Sequence, residues 1–444
     1  MAAPAESELK RAISRNMLLA LVVGDVLGAG IYALVGAVGG RVGGAIWSAF
    51  MLALALALFT ACAYAELVTK YPLAAGAALY VNRAWRRPFF TFLVAFAVMS
   101  SGLTSASTLA RAFGGDYLSV FVDAPATLVA VGFILAVAAI NFRGISESVR
   151  LNVVLTLIEL FGLVLVVVAG VAAILHGGPD VDAGRIFDFK EGESFIFAMV
   201  GGAGLAFFAL IGFEDSVNMA EEAREPVRDY PRALFGGLLV AGGIYLLVTM
   251  VASIVVPTDR LAASDGPLLE VVKADPLNLP TKLFSAIALC ALANGALINM
   301  IMASRIVYGM ARERILPARL GAVHGHRRTP FVAIAATTAI AVLLIVSGDI
   351  KGLADTTVLL LLLVFSAVNI AVLVLRRDRV EDHAHFRAPT AVPVMGAVVS
   401  VALMTTKEAA TFARAGLLLL VGVACWAVNW WVHGRHVDYS GSWD

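Results

Sequence analysis

Two apolar stretches of this sequence carry glycines and acidic residues where a membrane-spanning helix would need lipid-soluble residues. The first, GDVLGAG, covers residues 24–30 and includes Asp25, and the second, GFED, covers residues 212–215. Glycine interrupts a helix, and an interrupted helix frees backbone N–H and C=O groups that lipid cannot satisfy. Freed N–H groups attract an anion, and freed C=O groups attract a cation. Two such breaks side by side would suit a zwitterion such as an amino acid.

A further acidic residue lies inside the apolar run NVVLTLIELFGLVLVVVAG, residues 152–170. Asn152, Thr156 and Glu159 recur at i, i+4 and i+7 and therefore share one face of a helix. An acid at this depth is costly when charged and is a functional candidate by default. We predict that Glu159 takes part in ion coupling and that, if its carboxyl and that of Asp25 approach each other, one of the two holds a proton. A sodium site formed by the same acids and nearby carbonyls is the alternative, and we favour the proton.

The elements that position these residues are predicted to be membrane helices. Of the 444 residues 60% are hydrophobic and 15% are charged, whereas an average soluble protein has roughly 25% charged residues. Apolar runs of about 20 residues, each long enough to cross a bilayer, recur from end to end. The sequence therefore predicts an all-α polytopic membrane protein with twelve transmembrane helices, at about 16–41, 44–69, 88–112, 124–141, 151–175, 194–220, 231–256, 283–311, 330–347, 352–375, 391–406 and 412–433.

The two interrupted helices are the first and the sixth of these twelve. An odd-numbered offset turns one unit upside down relative to the other, as in inverted repeats that hold a ligand between their broken helices. Glycines in membrane helices usually serve close packing, but the matching places of the two breaks favour a site. We predict a cytoplasmic segment at 1–15, a core at 16–375 made of five-helix repeats at 16–175 and 194–375, two trailing helices at 376–434 and a cytoplasmic tail at 435–444.

The distribution of charge predicts the orientation of the chain. Lysine and arginine concentrate before the first helix and after the even-numbered helices. The loop after the fifth helix is acidic instead, with Asp180, Asp182, Asp188, Glu191 and Glu193. Cytoplasmic loops carry the excess of positive charge, so we expect both termini in the cytoplasm and the protein in the plasma membrane.

Four ordered stretches carry a family resemblance. They lie on the first, second, sixth and eighth helices and read GDVLGAGIYALVG (24–36), YAELVTKYPLAAGAALYVNRAW (64–85), FFALIGFEDSVNMAEEAREPVRDYPRAL (207–234) and ASRIVYGMARERILP (303–317). Together they resemble the amino acid–polyamine–organocation family of transporters. The resemblance implies the leucine-transporter fold, with inverted repeats of helices 1–5 and 6–10 followed by two trailing helices.

The resemblance also implies how the first break contacts a substrate. Backbone N–H groups of Gly28, Ala29 and Gly30 would hold the substrate carboxylate. Carbonyl groups near Val26 and within residues 208–212 would hold its ammonium group.

The second break supplies the rest of the implied pocket. Phe208 falls where the family places a bulky lid over the substrate, and the side-chain pocket would be lined by Ala209, Ile211 and Gly212. None of these side chains is charged, so we favour a neutral amino acid. A lysine or arginine substrate would need a carboxylate near its far end, and this break offers only Glu214.

The coupling residues depart from one pattern of the family. Some proton-coupled members carry a lysine at the position of Glu159, in a stretch otherwise like ESVRLNVVLTLIE. The lysine mechanism therefore does not transfer unchanged. Protonated Glu159 would instead donate a hydrogen bond to a carbonyl of the unwound first helix. Relatives that exchange substrates carry an acid at the position of Glu214, which adds this residue to the ion-coupling candidates.

Two further groups of polar residues are candidates for the transport route. Three small hydroxyl residues share a face of the third helix and either line the pathway or join helices: Ser101, Thr104 and Ser105. Charged residues after the sixth helix either close the cytoplasmic mouth by ion pairing or form a solvated loop: Glu221, Arg224 and Arg228.

These observations predict a secondary transporter that takes up a neutral amino acid by alternating access, coupled to a proton, with no catalytic residue, metal or cofactor. The alternatives are an amino acid or amine exchanger, a transporter of cationic amino acids or polyamines, and a sensor that binds amino acids without moving them. An enzyme is disfavoured because every histidine lies in a loop or at a helix end. The expected partners are a small molecule and the bilayer, without nucleic acid, and the protein is a monomer or a homodimer.

Overall fold

The structure, a computed structural model, describes residues 13–71, 76–143, 149–217, 223–312, 315–327, 329–378 and 385–433. Within these ranges the regular structure is helical apart from two isolated β-bridges. One bridge joins Ile13 to Ala223, and the other joins Gly43 to Phe189. The predicted all-α fold class is therefore confirmed for the described residues.

Seventeen α-helices follow one another along the described chain. They are α1 Arg15–Val26, α2 Gly30–Val42, α3 Ile46–Lys70, α4 Gly76–Trp85, α5 Pro88–Phe113, α6 Asp116–Ser119, α7 Ala126–Arg143, α8 Val149–His176, α9 Phe195–Ala206, α10 Pro226–Val255, α11 Thr258–Ala263, α12 Pro267–Lys273, α13 Thr281–Arg312, α14 Phe331–Ser347, α15 Ile350–Leu375, α16 Ala391–Met404 and α17 Ala409–His433. Short 3₁₀ turns occur at Ala183–Phe187, Phe207–Leu210 and Ala318–Gly321.

Most of the long helices are apolar and long enough to cross a bilayer. In the described residues 9 spans meet this criterion, and α1 with α2 forms a tenth if the bent pair counts as one. The apolar helices α14 and α16 are shorter than 18 residues. Large apolar side chains such as Leu128, Phe197 and Leu343 are exposed on the outer surface, as expected where lipid is the solvent. The chain is thus an integral membrane protein, and the number twelve stays a prediction.

The connections contain helices that the hydropathy pattern did not indicate. The helix α4 lies between α3 and α5, and α11 and α12 lie between α10 and α13. The helix α10 begins at Pro226, before the apolar run that we placed at 231–256. Proline is tolerated in the first turn of a helix because the N–H that it lacks would have no partner there, so the charged segment after residue 225 continues into the span.

The buried residues form two separate clusters. In the first helix group, α10 packs against α1 and α3, and α9 packs against α2 and α3. In the second helix group, α5 packs against α7, α13 and α14, and these helices hold a core of their own. The helix α15 packs against both α3 and α5 and so joins the two groups. A seam between two cores runs through the molecule.

The two ends of the bundle are named here by the path of the chain. The N-terminal face is the end at which α1 begins, where Arg224 N–H donates to the Ile13 carbonyl. The distal face is the end at which α2 finishes, where Lys190 N–H donates to the carbonyl of Val42.

A buried ion pair joins α3 to the end of α15 near the N-terminal face. Arg376, just after α15, donates from Nε to Glu66 Oε1 at 2.7 Å and from Nη2 to Oε2 at 2.6 Å. The Glu66 side chain is 2% exposed, and Oε2 also accepts the N–H of Ala388 at 3.0 Å. The fork geometry of arginine matches a carboxylate with two parallel bonds, so α3 is fixed to the end of α15.

Removing one partner of this pair is expected to destabilise the protein. Arg376→Met should lower the free energy of unfolding by about 3–5 kcal/mol, because Glu66 would stay buried without a counter-ion. The control Arg228→Gln removes an exposed pair with Glu225 and should cost about 0–1 kcal/mol. Denaturant unfolding of the purified protein measures both, and equal costs for the two variants would contradict the structural role.

Candidate functional site

The first break lies between α1 and α2. The two helices are bent by 43° across residues 27–29, and Ala29 precedes α2 without a side-chain cap. A Cβ added at Gly30 would lie 2.7 Å from the Cα of Ala209 in the second break. Only glycine allows this approach, so Gly30 brings the two interrupted segments into backbone contact.

The second break follows α9. After Ala206 the chain forms the 3₁₀ turn Phe207–Leu210, passes through an extended Ile211 and reaches Gly212 at φ +122°. A residue with a side chain rarely adopts this φ, and a Cβ at Gly212 would lie 2.6 Å from the carbonyl oxygen of Asp25. The backbones of the two breaks thus meet at two points.

Side chains occupy some of the backbone groups that the breaks set free. The hydroxyl of Tyr245, on α10, lies within hydrogen-bond reach of the Val26 carbonyl in the first break and of the Ala209 carbonyl, at 2.9 Å, in the second. The N–H of Gly212 donates to Glu214 Oε2 at 2.9 Å. Since a hydroxyl has one proton, Tyr245 can donate to only one of the two carbonyls at a time.

A cavity of about 80 Å³ lies where the breaks meet the second helix group. All eight residues predicted to bind a substrate line it: Val26, Gly28, Ala29, Gly30, Phe208, Ala209, Ile211 and Gly212. The opposite wall comes from α5, α8 and α13 and includes Ser105, Leu109, Glu159, Asn294, Gly295, Ile298 and Asn299. We call this space the central cavity.

Three carboxyl groups line the central cavity: those of Asp25, Glu159 and Asp215. The Glu159 side chain is buried, and its Oε1 accepts a hydrogen bond from Asn294 Nδ2 at 3.2 Å. Its Oε2 has no hydrogen-bond partner among the described residues. The backbone carbonyl of Glu159 accepts the hydroxyl of Tyr32 at 2.6 Å, which fixes α8 against α2. A residue that lines the central cavity thus has one carboxyl oxygen without a hydrogen-bond partner among the described residues.

The three hydroxyl residues that were candidates for the transport route lie in different surroundings. Ser105 borders the central cavity, whereas Ser101 donates to the Val98 carbonyl within α5. The Thr104 hydroxyl lies 2.7 Å from that of Thr357, so it joins α5 to α15.

The described residues predicted to close the cytoplasmic mouth, Arg224 and Arg228, lie at the N-terminal face. Arg228 lies 3.5 Å from Glu225, with both side chains more than half exposed, so this contact is a surface pair between neighbours. Arg224 is also exposed, and Glu221 lies outside the described residues.

Two wider cavities flank the central cavity along the seam between the helix groups. One, of about 530 Å³, lies toward the N-terminal face between α3, α4, α5, α13 and α15, with Glu214 and Asp215 in its wall. The other, of about 390 Å³, lies at the distal face between α2 and the start of α15. Asp215 borders both the central and the 530 Å³ cavity, so these two cavities are neighbours.

Comparison with known proteins identifies the family. The family model described as amino acid permease matches residues 13–437, nearly the whole chain. The chain belongs to the amino acid permease family. The resemblance found in the four sequence stretches is thereby confirmed, and the family consists of transporters rather than enzymes.

Three relatives illustrate the range of this permease family. An uncharacterised transporter of Mycobacterium tuberculosis is 28% identical over 425 residues, covering 95% of this permease and 92% of the relative. A branched-chain amino acid permease of Bacillus subtilis is 23% identical, covering 94% and 92%. A vacuolar cationic amino acid transporter of Arabidopsis thaliana is 30% identical, covering 83% of this permease and 64% of the relative.

Sequence reasoning missed part of the wall of the central cavity in this permease. Asn294 and Asn299 are polar residues inside the apolar run of α13, and polar residues at membrane depth are candidates for function. The sequence therefore contained a signal for these two asparagines. The sequence contained no such signal for Tyr245, because one tyrosine in an apolar helix does not reveal that its hydroxyl contacts two distant carbonyls.

The hydroxyl of Tyr245 is expected to stabilise the pair of breaks in the permease. Tyr245→Phe should lower the free energy of unfolding by about 1–3 kcal/mol, because buried carbonyls lose their donor. The control Tyr308→Phe, at the edge of the 530 Å³ cavity, removes a hydroxyl from a partly exposed ring. It should change the free energy of unfolding by less than about 0.5 kcal/mol. Thermal and denaturant unfolding compare the two, and an unaffected Tyr245→Phe protein would refute the bridging role.

Proposed function

We propose that this permease is a secondary active transporter that takes up a neutral amino acid by alternating access, coupled to a proton. The observation that carries the proposal is the central cavity, which lies where two broken helices touch and on the seam between two separately packed helix groups. We further propose the leucine-transporter fold with twelve membrane helices and a plasma-membrane location with both termini in the cytoplasm.

The chemistry of the breaks supports a substrate with both an anionic and a cationic group. Gly28 and Ala29, just before α2, and Gly30, its first residue, border the central cavity with their backbone amides. No side chain among the described residues caps this helix. A helix N-terminus favours a carboxylate through its amides and its dipole. The carbonyls of Val26 and Ala209 have two lone pairs each, so an ammonium group can share them with the Tyr245 hydroxyl.

The packing supports movement of one helix group against the other. A packed core resists continuous deformation, so two cores that share a seam move as two bodies. If the bent pair α1 and α2 and the shorter helix α14 each count as one span, the first helix group contains the first, second, sixth and seventh spans, and the second group contains the third, fourth, eighth and ninth. This pairing is what two inverted repeats would produce, and rocking along the seam would open the central cavity to either face in turn.

The unsatisfied oxygen of Glu159 supports proton coupling. When the carboxyl is charged, its Oε2 is buried without a hydrogen-bond donor, and when it is protonated on Oε2 its O–H needs an acceptor. Neither state is satisfied by the described protein groups alone, and an unsatisfied buried group is costly. A proton that arrives together with a ligand, or a cation, would relieve this cost. Glu214 already accepts the Gly212 N–H, so we assign the main coupling role to Glu159, with Asp25 beside the same cavity.

A second candidate function follows from the charge of the central cavity. Three of its lining residues are acidic, and none is lysine or arginine, which favours a substrate with an extra positive charge. A cationic amino acid or an amine is therefore the second candidate. Ile211, Ile298 and Phe208 offer an apolar wall instead, which favours the neutral substrate.

Uptake into proteoliposomes tests the proposed function directly. Purified protein in vesicles with an acidic outside should concentrate a labelled neutral amino acid from a panel that also contains lysine, arginine and polyamines. Uptake only into preloaded vesicles would establish exchange and refute symport. Binding in a thermal-shift assay without any flux would identify a sensor and refute transport.

Glu159 is expected to be essential for coupling. Glu159→Gln should reduce accumulation driven by the pH gradient by about tenfold or more, while counterflow between equal substrate pools continues. The control Glu191→Gln alters an exposed acid in the loop before α9 and should leave both activities unchanged. Concentrative uptake by Glu159→Gln at the normal level would show that the proton binds elsewhere.

Gly30 is expected to be essential for binding. Gly30→Ala places a methyl group against the backbone of Ala209 and should weaken substrate binding by about tenfold or more, since the breaks must move apart. The control Gly132→Ala in α7 adds a methyl group with no atom within 4 Å. Ligand-induced shifts of the melting temperature measure both variants, and unchanged affinity in Gly30→Ala would overturn the assignment of the carboxylate site.

A further inference from the structure

The connection between α16 and α17 reaches from the distal face into the bundle. It consists of residues 405–408, and Lys407 within it is buried, with a side chain only 2% exposed. Lys407 Nζ donates to the Gly204 carbonyl of α9 at 2.8 Å and forms an ion pair with Asp355 of α15. Removing either partner of a buried ion pair leaves an uncompensated charge, so Lys407 ties this connection to both α9 and α15.

The carbonyl that Lys407 contacts belongs to the end of a half-helix. Gly204 lies in the last turn of α9, which ends at Ala206. Carbonyls of a last turn have no partner within the helix, and a cation there also interacts favourably with the helix dipole. The next turn contains Phe208, which lines the central cavity. Lys407 thus holds the segment that leads directly into the second break.

The neighbouring residue contacts the other half-helix. Glu408 Oε1 lies 2.7 Å from Arg41, near the end of α2, and 3.1 Å from Lys351, at the start of α15. Hydrogen bonding to Lys351, its charge and that of Arg41 lower the pKa of the Glu408 carboxyl, so Glu408 is charged at neutral pH. Arg41 and Lys351 also line the 390 Å³ cavity at the distal face, and Glu408 therefore ties together two walls of that cavity.

A glycine makes room for this connection. A Cβ added at Gly204 would lie 2.7 Å from Thr406 Oγ1 and 3.6 Å from Lys407 Nζ. On the same helix a Cβ added at Gly201 would meet no atom within 4 Å. The close approach of residues 405–408 to α9 thus depends on the absence of a side chain at Gly204.

We propose that Lys407 and Glu408 form a clasp that keeps the distal face closed by holding the ends of both broken helices, α9 and α2, against α15. The two trailing helices thereby take part in gating, although they lie outside the predicted repeats. The inference rests on the proposed transport function, because alternating access requires the distal face to close and to open in turn.

The position of the clasp allows it to open. Breaking a buried ion pair in hydrocarbon would leave two unsolvated charges. Lys407 is instead followed by Glu408, whose side chain is 57% exposed, so separation of α2, α9 and α15 would admit water to the charges. Hydration then offsets the loss of the pair, and the open state is accessible.

Cysteine reporters on the two sides test the clasp without any need for transport. In protein whose native cysteines Cys62, Cys290 and Cys425 have been replaced, Ala33→Cys reports on the distal cavity and Ala95→Cys on the 530 Å³ cavity. The protein is reconstituted in nanodiscs, so a water-soluble maleimide reaches both faces. The rate of alkylation at each reporter is measured with and without the clasp.

Opening of the clasp should have opposite effects on the two reporters. Glu408→Gln, and the double variant Lys407→Met with Asp355→Leu, should raise alkylation of Ala33→Cys by about fivefold or more and lower that of Ala95→Cys. The double variant removes both charges at once, which buried pairs often tolerate without loss of folding. Lys273→Gln removes an exposed ion pair with Glu270 on α12 and should change neither rate.

Two results would overturn the clasp. One is an unchanged rate at Ala33→Cys in clasp variants whose thermal unfolding is normal. The other is a parallel increase at both reporters, which would mean general loosening. The matched variants Gly204→Ala and Gly201→Ala provide an independent test, since only Gly204→Ala should raise the alkylation rate of Ala33→Cys. A failure of transport with intact reporter behaviour would refute the proposed function and leave the conformational role of the clasp in place.

Discussion

The requirement that every backbone polar group in the bilayer find a partner governs the centre of this protein. A continuous helix meets the requirement by itself, and a broken helix does not. Here the two interruptions touch, at Gly30 against Ala209 and at Gly212 against Asp25, and side chains such as Tyr245 and Glu214 supply partners for the freed groups. The breaks are stable only because they share one enclosed space, and the other features of the central cavity follow from this shared position.

The central cavity is lined by residues from both helix groups. The breaks belong to the first group, whereas Asn294 lies on α13 of the second group and Glu159 lies on α8, which packs against α1, α10 and α13. The hydrogen bond between Asn294 and Glu159 orients one carboxyl oxygen, while the other is buried without a hydrogen-bond partner among the described residues. A ligand in the cavity therefore contacts both bodies at once, and any change in its charge is felt at the surface along which they would move.

Local signals in the sequence were sufficient for the breaks but not for what surrounds them. Glycines and acids in apolar runs mark residues 24–30 and 212–215 without reference to any other part of the chain, and Glu159 is conspicuous for the same reason. Hydropathy likewise located the long helices, but it could not locate α4, α11 and α12, which are amphipathic or short. Tyr245 and Lys407 are ordinary residues in sequence, and their roles arise from contacts with carbonyls 36 and 203 residues away. Such contacts depend on how helices cross, which no local pattern encodes.

The bridge made by Tyr245 has a consequence for ligand recognition. One hydroxyl proton serves two carbonyl acceptors, so at any moment Tyr245 donates to only one of the carbonyls of Val26 and Ala209. The two possible positions of the proton make the first and second breaks compete for the same bond. An incoming ammonium brings three donors and ends this competition. This pair of carbonyls would therefore favour a ligand by the number of hydrogen atoms that the ligand can offer as well as by its charge, which agrees with the ammonium group of the proposed substrate.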